Sequence, residues 1–303
     1  MSARLIINAD DFGLTSGVNR SIAELHQAGV LTSATLMATG SAFDDAIAIA
    51  RSTPTLGVGC HVVLTDGVPA CSPEKIPSLL GPDGKTFRPS LLDFVQALLR
   101  GHIRETDIEL EAEAQIQKLQ NAGIALTHVD THKHSHLFPA VTRPLLRVLE
   151  RTGIASIRNP FEPEFTRRLA HAGLKRRLQI SLLNRFRPAF LSHPVIHEHK
   201  VLTTDGTLGV SATGNLNAST LSEILDTMPS SGIFELVCHP GYNDPDLDRI
   251  TTRLRAHREI EMQALRSALP RALAQPNRLT LIHYGELAVK APASVATHHQ
   301  PVQ

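Results

Sequence analysis

Short apolar runs alternate with amphipathic stretches along most of the chain. The runs are rich in β-branched and aliphatic residues, as strands are, whereas the stretches repeat apolar residues at helical spacing. The pattern predicts strands at residues 4–7, 31–39, 56–64, 123–127, 155–157, 233–238 and 279–282. It predicts helices around Val18–Leu25 and at residues 42–51, 141–151 and 246–269, with two more that open on the capping boxes Thr106–Glu109 and Thr220–Glu223.

The arrangement of these elements predicts the fold class. Continuous apolar strands separated by helices indicate a parallel sheet that is covered on both faces. Most of the runs end in polar or ionisable residues, which is typical of (β/α) barrels. A doubly wound open sheet would show the same alternation, but its G-x-G-x-x-G turn is absent. We therefore expect an α/β, barrel-like and irregular fold with about seven strands and an active site at their C-terminal ends.

The expected organisation is a single domain over residues 1–290. Two segments that lack a clear pattern, residues 70–90 and 166–199, are expected to be excursions from it, the first of them a possible lid. Residues 291–303 show no periodicity and are expected to be a disordered tail.

Composition excludes several classes of protein. A net charge of +1 gives no electrostatic case for nucleic acid as a partner. The sequence has no apolar run of 18 residues and its N-terminal stretch does not match a secretory signal. Three widely spaced cysteines fit a reducing compartment. These features predict a cytoplasmic protein.

The stretch His128–His136 contains four histidines in nine positions. If the incoming strand continues through it, Asp130, His132 and His134 share one face, because side chains alternate along a strand. Imidazoles at a strand end suit a divalent metal or proton transfer. The alternative is a solvated, histidine-rich loop.

Further candidates follow other strands. Asp10 and Asp11 come directly after the first strand, where they suit a base and a metal ligand or, alternatively, a helix N-cap pair. His61 lies inside an apolar run, either as a ligand or as a hydrogen-bonded core residue. His239 stands where a strand breaks into a turn, and it suits a general acid or a capped turn. Asp11, His61 and His132 together would leave coordination positions open for water and substrate.

Four motifs occur in order over residues 3–285: Asn8–Gly13, Gly59–Gly67, His128–Pro139 and Glu235–Gly241. Together they resemble the YdjC-like carbohydrate deacetylases, which include chitooligosaccharide deacetylases and a hopanoid-biosynthesis branch. The resemblance implies a barrel-like fold, one divalent metal described as magnesium, and hydrolysis of N-acetyl groups on amino sugars or glycolipids. It also implies Asp11, His61 and His132 as the metal ligands.

The remaining roles follow from the chemistry and from the same resemblance. Asp10 is expected to act as the general base and His239 as the general acid. His134, His136 and Arg158 are expected to bind substrate, and Arg158 loosely resembles an arginine that orients the base in polysaccharide deacetylases. Two imidazoles suit zinc, cobalt or manganese better than magnesium. An amidase or phosphoesterase, and a non-catalytic sugar-binding protein with a vestigial site, are the alternatives.

Residues 167–187 carry seven basic side chains and no acidic one. Leu174, Leu178, Leu182 and Phe186 follow each other at intervals of four, so an amphipathic helix is expected. It would be a solvated helix or a homodimer contact. The sharper hypothesis is peripheral contact with an anionic membrane, which would suit a glycolipid substrate.

Overall fold

The computed structural model describes residues 2–167, 169 and 174–287, with the backbone alone for residues 174–177. The tail predicted at residues 291–303 and part of the basic segment 167–187 lie outside the described residues. Within this part of the chain, no helix is long and apolar enough to cross a membrane.

Seven strands form one sheet that curls into a half-barrel, which confirms the predicted barrel-like α/β fold. All strand pairings are parallel. The spatial order is β4-β3-β2-β1-β6-β5, and β7 pairs with the beginning of β1. The strands are β1 Ala3–Phe12, β2 Ser33–Leu36, β3 Gly57–Val62, β4 Val129–Thr131, β5 Gly206–Leu208, β6 Ile233–Cys238 and β7 Leu279–Leu281.

Helices connect the strands and cover the sheet. The α-helices of the described residues are α1 Ser16–Gln27, α2 Phe43–Ser52, α3 Leu91–Leu99, α4 Glu105–Asn121, α5 Pro139–Thr152, α6 Glu164–Arg167, α7 Leu174–Leu183, α8 Arg187–Leu191, α9 Pro194–His197, α10 Ala218–Asp226, α11 Pro245–Asp248 and α12 Ala256–Leu273. β1 lies at the centre of the sheet, with Leu5, Ile7 and Ala9 completely buried. Its C-terminal end therefore opens onto the middle of the half-barrel.

Two of the predicted strands are placed differently. Residues 155–157, predicted as a strand, form only isolated bridges, to Val129 and Leu202. In addition, the structure contains a strand that was not predicted, β5. β5 has the sequence Gly-Thr-Leu and no apolar run, so its extended form depends on pairing with β6. The strand expected at residues 123–127 begins later, at Val129. Tertiary pairing outweighed local propensity in these segments.

Both predicted capping boxes are wrong, because each helix begins earlier. α4 starts at Glu105, and the Asp107 side chain is held by Arg104 and by the backbone N–H of Ser78. α10 is capped by Asn217, whose Oδ1 accepts from the backbone N–H groups of Ser219 and Thr220. The helix predicted at residues 246–269 is divided between α11 and α12.

The segment at residues 70–90 packs against the body of the protein. Ile76, Leu79 and Phe87 are buried, and Leu80 and Phe87 form an antiparallel bridge. The Glu111 carboxylate on α4 accepts from the backbone N–H groups of Ala70 and Cys71 at 2.7 and 2.9 Å. These contacts hold the segment against α4.

Gly59 on β3 allows the sheet to approach a buried histidine. The His128 ring stacks on Tyr284 at 3.8 Å between centroids, and a Cβ at position 59 would lie 2.5 Å from His128 Cε1. Gly59→Ala should therefore destabilise the protein by about 1–3 kcal/mol. Urea unfolding measures the change. The cost should shrink in a His128→Ala background, and an equal cost in both backgrounds would contradict this explanation.

Candidate metal centre and active site

The end of β1 turns two consecutive aspartates toward different partners. The register between β1 and β2 shifts between Ala9 and Phe12, and Asp11 has a φ of 64°, which is uncommon for a residue other than glycine. Such a backbone is characteristic of functional sites. The aspartates do not cap α1, because Thr15 Oγ1 accepts the backbone N–H of Val18 at 3.2 Å.

Three side chains from different strand ends converge on one point. The Asp11 Oδ1 atom lies 3.7 Å from His61 Nε2 and 3.4 Å from His132 Nδ1, and the two ring nitrogens are 3.3 Å apart. Metal bonds of about 2.1 Å at tetrahedral or octahedral angles place donor atoms about 3.0–3.4 Å apart. Asp11 Oδ1 is buried and has no hydrogen-bond partner among the described residues. The residues present therefore fit a divalent cation.

Buried side chains hold two of these candidate ligands, His61 and Asp11, in place. Asp130 Oδ1 lies 2.7 Å from His61 Nδ1, which fixes the ring and directs Nε2 toward Asp11. Arg258 Nη2 donates to Asp11 Oδ2 at 2.6 Å. Burial opposes ionisation of Asp11, but the charge of Arg258 and the contact with His132 hold its pKa well below the usual value. Asp11 is therefore a carboxylate at neutral pH.

Asp10 belongs to a second network, centred on Arg158. Both Asp10 oxygens accept from the Arg158 guanidinium, at 2.9 and 2.6 Å. Asp130 and Glu235 also pair with Arg158, and Tyr284 donates to the far oxygen of Glu235. Burial opposes ionisation of Asp10, but the charge of Arg158 lowers its pKa far below the usual value. Asp10 is held ionised and in one orientation.

A second cluster of possible ligands consists of Asp10, His61 and Asp130. Arg158 already donates to both oxygens of Asp10 and pairs with Oδ2 of Asp130, while Asp130 Oδ1 contacts His61 Nδ1. A cation bound there would have to displace these contacts. It would also lie beside the positive charge of Arg158, which would repel it. The cluster of Asp11, His61 and His132 fits a metal better.

His239 completes the site from the end of β6. Its Nε2 lies 3.9 Å from Asp10 Oδ2, and its Nδ1 lies 3.9 Å from Glu261 Oε2 on α12. Glu261 also accepts the backbone N–H of His239 at 2.6 Å, which fixes the turn that carries the imidazole. The ring is 12% exposed, so it reaches solvent where the two aspartates do not.

Two of the expected substrate contacts are corrected by burial. Arg158 is completely buried and occupied by three carboxylates, so it orients Asp10 and cannot touch substrate. His136 is also completely buried, with Thr131 Oγ1 2.7 Å from Nδ1 and the Arg158 carbonyl oxygen 3.2 Å from Nε2. Burial and the charge of Arg158 lower the pKa of His136 to about 3. His136 is thus held against the backbone of Arg158, away from solvent.

The histidine stretch is neither a solvated loop nor a continuing strand. β4 ends at Thr131, and Lys133 and His134 adopt φ values of 56° and 52° in a tight turn. The face predicted to be shared by Asp130, His132 and His134 therefore does not exist. His134 is half-buried, and its Nδ1 atom has no partner among the described residues. It remains a candidate for contact with substrate.

Sequence reasoning missed four supporting residues. Asp130 and Glu235 lie inside quoted motifs, but nothing in the sequence indicated that Arg158 would bind them. Arg258 and Glu261 lie among the many charges of α12, and only their burial, at 1% exposure each, sets them apart. Their roles depend on which face of the helix packs against the sheet.

Loss of either candidate imidazole should empty the metal centre. We expect His61→Ala and His132→Ala to bind less than stoichiometric metal, because each change removes a donor atom. Both variants should remain folded, because the residues lie at strand ends and not in the packed layers of the barrel interior. Elemental analysis of the purified variants measures this. His197→Ala, on the exposed C-terminal end of α9, is the matched control. Full metal content in both site variants would remove these imidazoles from the centre.

A parallel, barrel-like sheet with one carboxylate and two imidazoles at its carboxyl edge is an arrangement that metal-dependent hydrolases use. The family model of YdjC-like proteins matches residues 4–275. The chain belongs to this family.

Individual relatives agree with the family model. A carbohydrate deacetylase of Brevibacillus brevis is 30% identical over 284 residues, covering 94% of this chain and 99% of the relative. One of Geobacillus stearothermophilus is 32% identical over 242 residues, covering 80% and 81%. A solved structure from Enterococcus faecalis V583, of a protein for which cellobiose-phosphate cleavage has been suggested, matches with a TM-score of 0.75 and 26% identity, covering 95% and 100%.

Proposed function

We propose that this protein is a metal-dependent carbohydrate N-deacetylase that releases acetate from an N-acetylated amino sugar. One observation carries the proposal. A fixed carboxylate, Asp10, and an accessible imidazole, His239, lie 3.9 Å apart beside a three-residue metal centre. Metal-assisted amide hydrolysis can use such a set, and the relatives named as carbohydrate deacetylases support the choice of bond.

Asp11, His61 and His132 would hold the cation. A bound divalent cation would polarise the acetamide carbonyl and lower the pKa of a water molecule beside it. The acidic side chains of the site outnumber its two guanidinium groups, and a divalent cation would offset part of that excess. Magnesium follows from the family resemblance alone, whereas the donor set of two nitrogens and one oxygen favours zinc, cobalt or manganese.

Asp10 acts as the general base. Arg158 holds both of its oxygens, so the carboxylate is ionised and oriented before substrate arrives. It takes the proton of the attacking water while the water oxygen bonds to the acetyl carbon. Arg158 must itself stay fixed for this, and its pairing with Asp130 and Glu235 provides that.

His239 acts as the general acid. As imidazolium it donates a proton to the sugar nitrogen while the carbon–nitrogen bond breaks, which yields acetate and a free amine. Glu261 keeps the turn and the ring in place through the backbone N–H of His239. His134, with one unpartnered ring nitrogen, is the histidine left to contact the sugar. The free cysteines Cys60, Cys71 and Cys238 would suit a cytoplasmic enzyme, and its substrate would be a soluble sugar or a glycolipid.

The test uses chelator-stripped protein reloaded separately with Mg²⁺, Mn²⁺, Co²⁺ and Zn²⁺. The panel contains N-acetylglucosamine, its oligomers, their phosphate esters and an N-acetylglucosamine glycolipid. We expect equimolar acetate and primary amine from at least one substrate. Phosphate release without acetate would identify a phosphoesterase, and metal binding with no turnover of any amide would favour a sugar-binding protein.

A further inference from the structure

Asp10 and Asp11 are neighbours in sequence, and each is bound by a buried arginine in a different way. Arg158 contacts both oxygens of Asp10. Arg258 contacts Asp11 through a single bond, from Nη2 to Oδ2 at 2.6 Å, although arginine–carboxylate pairs frequently use both oxygens. Arg258 Nη1 and Asp11 Oδ1 are both buried and both lack a hydrogen-bond partner among the described residues.

The position of Arg258 is fixed by its surroundings. The residue is 1% exposed and lies in the first turn of α12, and its Nε donates to the carbonyl oxygen of Leu254 at 3.1 Å. Its stem crosses the turn after β6 at Gly241, where a Cβ would lie 3.1 Å from Arg258 Cδ. The guanidinium therefore cannot easily rotate to take the second oxygen of Asp11.

The consequence concerns how a carboxylate binds a cation. Carboxylates bind metals through one oxygen or through both. Asp11 Oδ2 accepts from the positively charged Arg258, which disfavours a cation at that oxygen. The other oxygen, Oδ1, faces His61 Nε2 and His132 Nδ1 and is the better placed of the two to bind a cation. One donor from each of three residues leaves the remaining coordination positions free for water and the acetyl group.

We propose that Arg258 is a positioning residue that keeps Asp11 a one-oxygen ligand and so reserves a coordination position for substrate. The benefit to catalysis rests on the proposed function. The claim about metal coordination does not depend on it. A residue with this role differs from one that only raises the affinity of the site for metal. Loss of a supporting residue typically costs about 10–100-fold in metal affinity or activity. For Arg258 the loss should fall on activity.

The test is Arg258→Met, which keeps the stem and removes both the charge and the donor. Metal-free full-length protein is titrated with Co²⁺ and followed by visible absorption. We expect one Co²⁺ per chain, a Kd no higher than that of the wild type, and a weaker absorption band, because the freed Oδ2 adds a ligand. Acetate release should fall about 10–100-fold. Arg255→Met, at a partly exposed residue directly before the same helix, should leave the Kd and the band unchanged.

Two results would overturn the proposal. One is a tenfold rise in Kd with an unchanged band, which would show that Arg258 only supports Asp11 as a metal ligand. The other is loss of folding in both Arg258→Met and Arg258→Lys. If only the Met variant fails to fold, Arg258→Lys decides, since it keeps one donor to Oδ2 and should retain the wild-type band. The Co²⁺ readouts stand even if no tested sugar releases acetate, so failure of the proposed function is seen separately.

Discussion

Asp10→Asn should give a folded, metal-loaded protein that is almost inactive. The amide keeps the shape of the carboxylate and one acceptor for Arg158, but it cannot accept the proton of the attacking water. General base catalysis contributes about 10²–10⁴-fold, or about 3–5 kcal/mol of the barrier. The measurements are acetate release under saturating substrate, metal content by elemental analysis, and substrate affinity, which should change little.

Asp11→Asn is the paired variant, and excess metal should distinguish it from Asp10→Asn by restoring activity in only one of them. It removes the charge that would hold the cation, so metal affinity should fall by more than the roughly 10–100-fold typical of losing a supporting residue. Excess metal should therefore restore part of its activity and leave Asp10→Asn unchanged. The reverse pattern would exchange the roles of the two aspartates. Unimpaired turnover in both variants would end the proposed mechanism.

Arg158→Met should have the largest effect on stability. Asp10, Asp130 and Glu235 are buried around this one guanidinium, and removing it leaves three carboxylates without their cation. Breaking a buried ion pair by deleting one partner typically costs about 3–5 kcal/mol. Urea unfolding should show a loss at the upper end of this range. Arg158→Lys should recover part of the stability and little of the activity, since a lysine cannot hold both oxygens of Asp10.

The matched control is Arg147→Met. Arg147 bridges Glu105 and Glu109 between α5 and α4, but its side chain is 44% exposed. Exposed pairs contribute about 0–1 kcal/mol, because water solvates the partners that remain. A loss at Arg147 as large as that at Arg158 would show that burial does not set the cost at Arg158.

Features encoded in short stretches of chain were predictable. The apolar runs predicted the parallel sheet, because a strand buried on both faces must be apolar along its length. Asp11 and His132 come after two of the predicted strands, and His61 lies inside a third run. The carboxyl ends of parallel strands meet at one edge, so the convergence of these residues could be expected. The sequence did not predict β5, a three-residue strand with no apolar run that depends on β6 for its pairing.

By itself, the sequence determined which residue types stand at the strand ends, and through them the barrel-like fold and the candidate metal centre. Tertiary structure alone decided how those residues are supported. Arg158, expected to contact substrate, is enclosed by Asp10, Asp130 and Glu235, and Arg258 reaches Asp11 from a helix 247 residues further along the chain. Such pairings carry no sequence signal, because a buried charge is stabilised by partners that only folding brings within contact distance.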